Sequence, residues 1–87
     1  MSLNEVLKQR MNDGQSEYGR FIPETDKRNL RNEAMEEIAD AINYLYMDIA
    51  KLAMNLGARS ASFIVIESRA EKIRKLVQMY EEFDLEC

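Results

Sequence analysis

Met35, Ile38, Ile42, Leu45, Ile49, Leu52 and Leu56 recur in alternating three- and four-residue steps, a spacing that gathers them into one stripe of a long helix. Thr25 or Asp26 can cap its start, and Gly57 is placed to end it. A second stripe follows: Phe63, Ile66, Ala70, Ile73, Val77 and Tyr80 predict a helix from Ser60 or Ser62 to about Phe83. Phe63-Ile64-Val65-Ile66 alone would suit a buried strand, but the helical register extends through Tyr80 and no partner strand is available. The Gly57–Arg59 link makes the two helices an antiparallel hairpin.

Upstream, Leu3, Val6, Leu7 and Met11 predict a short amphipathic helix from Leu3 to about Met11. Asn12-Asp13-Gly14 supplies turn chemistry, and Gly19 and Pro23 argue against a continuous helix through 12–24. Gln15–Glu24 then reads as an irregular connection whose Tyr18, Phe21 and Ile22 either make contacts of their own or pack over the end of the bundle. The fold class is all-α: one domain over residues 1–87, a helical hairpin with a short N-terminal helix. Each large apolar side chain contributes about 1.5–3 kcal/mol when buried, against about 1.5 kcal/mol per residue for ordering the chain. A lone hairpin is therefore marginal, and the two stripes predict a homodimer or homotetramer built around a four-helix bundle.

Composition narrows the chemistry. The chain has 46 % apolar and 32 % charged residues, ordinary for a folded domain. It contains no histidine, which excludes imidazole-activated nucleophiles, and its one cysteine, Cys87, excludes a Cys/His zinc site within one chain. A net charge of −4 argues against a general nucleic-acid binder. The sequence has neither a bilayer-length apolar run nor an apolar leader in Met1–Arg10. A cytoplasmic protein with no membrane partner is expected.

What remains is carboxylate chemistry. Glu33, Glu36, Glu37 and Asp40 fall on consecutive turns of the long helix, where side chains three and four apart are neighbours and like charges repel. At about 100° per residue Glu33, Glu37 and Asp40 project opposite the apolar stripe, with Glu36 and Asn43 to one side. Two readings are open. Acids early in a helix complement its dipole, and an acidic face opposite an apolar one is ordinarily solvated. Alternatively a hard divalent ion sits among them, with waters and substrate phosphates completing its shell.

Glu36-Glu37-Ile38-Ala39-Asp40 followed by Ala41-Ile42-Asn43-Tyr44-Leu45 resembles the Glu-Glu-x-x-Asp motif of the MazG-like all-α nucleoside triphosphate pyrophosphohydrolases. Glu17-Tyr18-Gly19 and Asp26-Lys27-Arg28-Asn29-Leu30, leading into Glu33-Ala34, resemble small phage and bacterial members, so the likeness covers roughly residues 15–50. It implies Mg2+-dependent cleavage of a nucleoside triphosphate to monophosphate and pyrophosphate, in nucleotide clean-up or pool control. Mn2+ would substitute for Mg2+. Glu37 and Asp40 match the metal ligands; Glu33 and Glu36 would complete the metal shell or accept the proton of an attacking water. Lys27, Arg28 and Arg31 near the helix start, and Arg69 and Lys72 on the third helix, are candidate phosphate contacts. The family's earlier Glu-x-x-Glu lies on a separate helix, whereas Glu33-x-x-Glu36 directly precedes the second motif. That departure implies a reduced metal site or a non-catalytic helical oligomerisation or regulatory protein that kept the fold.

Overall fold

A computed structural model describes residues 1–56 and 60–86, of which three helices make up most: α1, Leu3–Tyr18; α2, Leu30–Leu56; and α3, Ser60–Asp84. No strand occurs among the described residues. The all-α class and the hairpin of α2 and α3 are thus as the periodicity requires. The Gly57 helix stop and the Gly57–Arg59 link fall outside the described residues.

α1 is longer than its sequence suggests. Ser2 caps it, accepting the Glu5 N–H at 3.2 Å while its hydroxyl donates to the Glu5 carboxylate at 3.1 Å. The helix then runs straight through Asn12-Asp13-Gly14, correcting the expected turn. A glycine inside a helix costs about 1 kcal/mol relative to alanine, yet Gly14 keeps the apolar register intact. Leu7, Met11 and Tyr18 stay on one face across it. The stop comes at Gly19, whose N–H bonds the Gln15 carbonyl at 2.8 Å with φ at 84°. That left-handed conformation strains any residue with a Cβ, although the space around Gly19 is open.

The start of α2 also differs from expectation. Thr25 and Asp26 do not cap it; their N–H groups turn back to the Ile22 carbonyl at 3.1 and 3.0 Å. Asn29 is the cap, its side chain accepting the Asn32 N–H at 3.1 Å while its carbonyl accepts the Glu33 N–H at 3.1 Å. Such a cap contributes about 1 kcal/mol.

α2 and α3 lie antiparallel, joined across the pair by Arg69 Nε and Asp48 Oδ2 at 2.8 Å. Among the described residues Met35 and Ile73 are the buried hydrophobic ones, at 7 % and 5 % exposure. Ile38, Ile42, Leu45, Ile49 and Leu52 of the α2 stripe are only half-buried. On α3 the half-buried residues include Ile66, Ala70, Leu76 and Phe83. Phe63, expected in the stripe, is 61 % exposed. The α3 seam is therefore rotated slightly from the projected one, turning Phe63 outward.

α1 stands apart. Among the described residues it makes no close backbone approach to α2 or α3, and none of its residues is buried. The chain measures 54 × 33 × 19 Å with a radius of gyration of 17.0 Å, against about 12 Å for a compact chain of this length. Its accessible surface is 7441 Å², where a compact monomer of this mass has about 5,300 Å².

Candidate functional site

The acidic run is presented to solvent. Glu33, Glu36, Glu37 and Asp40 are all exposed, as are the neighbouring Asn43 and Tyr44. The reason is local: α2 commits its Met35–Ile38–Ile42 edge to the seam with α3, and a period of 3.6 residues carries the acids to the other side. Antiparallel pairing adds to the charge. With Asp48 level with Arg69, a rise of about 1.5 Å per residue brings the last three turns of α3 alongside the first half of α2. Residues 32–41 and 76–86, which lie level with one another, together contain Glu33, Glu36, Glu37, Asp40, Glu81, Glu82, Asp84 and Glu86 and no lysine or arginine. The opposite half of the hairpin carries Lys51, Arg69, Lys72, Arg74 and Lys75 against Asp48, Glu67 and Glu71. One end of the hairpin is strongly acidic and the other weakly basic.

The linker between α1 and α2 borders that acidic end and is held by its own bonds. Asp26 Oδ1 accepts the Arg28 N–H at 2.9 Å, and the Arg28 Nη2 reaches Asp26 Oδ2 at 2.7 Å. The Arg28 guanidinium lies over the Tyr18 ring, 5.6 Å from its centroid. Asp26, Arg28 and Tyr18 therefore clamp the end of α1 to the start of α2. Hydrogen bonds from the Arg28 side chain, then from its backbone N–H, hold the Asp26 carboxyl below its ordinary range, and the Asp26 carboxylate raises Arg28. Glu33 is near enough to act electrostatically on both Arg28 and Tyr18; the phenol is raised first by its hydrogen bond to Glu17.

Because Asp26 is depressed in the folded chain, the clamp contributes stability above the ordinary aspartate pKa. That contribution is lost as the pH falls through the lower, folded value. Carbon-detected NMR titration is expected to place the Asp26 midpoint below the usual 3.8, and Arg28→Gln to move it upward. An unchanged midpoint would mean that the clamp does not persist in solution.

Tyr18, Phe21 and Ile22 do not cover the end of the hairpin within one chain; they are 68 %, 43 % and 46 % exposed. Tyr18 and Phe21 instead join Leu7, Arg10, Met11 and Arg28 around an open cleft of about 330 Å³. Sequence reasoning missed this cleft, since the extension of α1 past Gly14 creates it. The Asp-x-Arg spacing at 26–28 was the available signal for the clamp, because an aspartate commonly accepts the N–H two residues on.

Of the five cations singled out as phosphate contacts, Arg28 is engaged by Asp26, Arg69 by Asp48, and Lys72 donates to Ser68 Oγ at 2.8 Å. Lys27 is exposed and Arg31 half-buried near the start of α2. Arg69 and Lys72 lie on the basic half, about 12–17 Å along the hairpin from the level of Glu37. Among the described residues of one chain, no group of three or more Asp, Glu, His or Cys is arranged to hold a metal ion. None of the described helices is long and apolar enough to cross a membrane. No family model, curated protein or solved structure matches the chain.

Proposed function

We propose that this protein is a Mg2+-dependent nucleoside triphosphate pyrophosphohydrolase that works as a homo-oligomer. The observation that carries the reading is the solvent-facing Glu37–Asp40 pair within residues 32–41, which hold four acids and no lysine or arginine. The donor set fits the ion. Magnesium usually takes one or two protein carboxylates and fills the rest of its octahedron with water and phosphate oxygens, so a pair three residues apart suffices. When bound there it supplies charge neutralisation at the phosphates and a more acidic water.

The chain's own groups do the rest. Glu33 or Glu36, one turn away on the same helix, accepts the water's proton. Lys27 and Arg31 stand at the helix start, where a triphosphate meets both cationic side chains and the acidic run. The Glu-Glu-x-x-Asp likeness supplies the substrate class and the bond cleaved. A non-catalytic oligomerisation or regulatory role is the second reading, favoured by the lack of a three-carboxylate cluster among the described residues.

Incubation with Mg2+ and a panel of canonical and modified nucleoside triphosphates separates the two. Monophosphate and pyrophosphate are the expected products, with diphosphates poor substrates. Orthophosphate would place attack at the terminal phosphate and refute the assignment. No turnover by an intact oligomer would select the non-catalytic role.

A further inference from the structure

The apolar cleft beside α1 and the apolar start of α3 are exposed at opposite ends of the molecule. Leu7 and Met11 are 57 % and 59 % exposed, and Phe63 and Ile64 are 61 % and 72 % exposed. Phe63 and Ile64 border a shallow apolar depression of about 670 Å³ edged by Glu67 and Glu71, both held by Arg74 at 2.9 and 2.6 Å. The cleft is edged by Arg10 and Arg28. Both patches are apolar, and with Arg28 already held by Asp26 and with Glu67 and Glu71 sharing Arg74, their rims differ by the positive Arg10 on one and a surplus carboxylate on the other.

They cannot meet within one chain. Phe63 lies level with residue 54 of α2, about 36 Å along the hairpin from Leu30, while α1 spans only about 24 Å. The Asp26–Arg28–Tyr18 clamp also fixes the departure of α1 at the open end. A second copy laid antiparallel solves both problems, because its Phe63 end then stands beside the first copy's open end.

We propose that the chain forms a two-fold dimer in which Phe63 and Ile64 of each copy seat in the cleft formed by Leu7, Met11, Tyr18 and Phe21 of the other. The exchange is reciprocal and closed, as a two-fold interface must be. Arg10 of one copy approaches Glu67 and Glu71 of the other. The same alignment sets each acidic half-hairpin against a basic one, whereas the parallel alignment would set acid against acid. Each chain exposes about 2,100 Å² more than a compact monomer of its mass, surface that a second copy can cover. The test of this assembly does not read turnover, so its failure is distinguishable from failure of the proposed activity.

Sedimentation of the wild-type chain at micromolar concentration is expected to give a dimer. Ile64→Asp and Met11→Asp should each raise the dissociation constant at least a hundredfold without loss of helix, because both side chains are already exposed within their own chain. Arg10→Glu and Glu67→Arg should each weaken association about tenfold, and their combination should recover it. With Cys87 replaced by serine, oxidation of a mixture of Met11→Cys and Ile64→Cys chains should yield the mixed disulfide. A wild-type monomer, a dimer indifferent to Ile64→Asp and Met11→Asp, or disulfides between like chains only would each overturn the proposal.

Discussion

Ile73→Asp is expected to abolish cooperative folding, with helical circular dichroism collapsing in dilute buffer. Ile73 is 5 % exposed and, among the described residues, is one of the two buried hydrophobic residues, the other being Met35. A domain of this length commands a total stability of about 4–13 kcal/mol. An unpaired charge forced into a packed seam costs about 4 kcal/mol or more, most or all of that total. Ile73→Val, which removes one methyl group, should cost only about 0.5–1.5 kcal/mol and move the urea midpoint without changing its slope. If the aspartate variant unfolds at the wild-type midpoint, Ile73 is not in the core and the packing of α2 on α3 is wrong.

That variant contrasts with Ile64→Asp, nine residues earlier on the same helix. Both introduce a charge at an apolar position, but Ile64 is 72 % exposed. The first attacks the hairpin itself; the second attacks only the surface assigned to the second copy. Loss of helix in one and loss of association in the other would separate the stability of the subunit from that of the assembly.

The hairpin was legible because stripes at a period of 3.6 residues are a property of the chain alone. Met35 and Ile73 fall where that period puts them. What the period could not reveal was rotation about the helix axes. Phe63 belongs to the projected α3 stripe yet points away, while Leu76 and Phe83 turn partly inward. Capping was harder to place because several residues compete for it. Thr25, Asp26 and Asn29 all have side chains able to accept an N–H. The Ile22 turn takes up the backbone of the first two and Arg28 takes the Asp26 carboxylate, leaving Asn29 to the helix.

The candidate site divides in the same way. That Glu33, Glu37 and Asp40 face away from the stripe follows from helical geometry, and their exposure agrees. The engagement of Arg28 by Asp26 and of Arg69 by Asp48, 21 residues away in sequence, depends on the path of the linker and the register of the hairpin. No periodicity encodes either. An antiparallel second copy would also bring its basic half toward these acids. Arg69 and Lys72, remote from Glu37 in their own chain, would then lie on the partner's side of the acidic end.

Glu37→Gln and Asp40→Asn are each expected to lower turnover of a nucleoside triphosphate by a factor of about 10³ or more, with helix content and association unchanged. The two amides keep the shape of the side chain while removing the negative charge that a hard cation requires. Both positions are exposed, so neither change opens a cavity nor strands a buried polar group. Relief of repulsion along the run should, if anything, stabilise α2 by a few tenths of a kcal/mol. Calorimetry supplies the companion measurement: saturable Mg2+ binding in the wild type that vanishes in Asp40→Asn. A Glu33→Gln variant that still binds Mg2+ but turns over slowly would identify Glu33 as the proton acceptor rather than a ligand, because a base is needed only when water attacks. Wild-type and Asp40→Asn chains that bind Mg2+ alike would reduce the run to a solvated face, leaving the protein an assembling helical module.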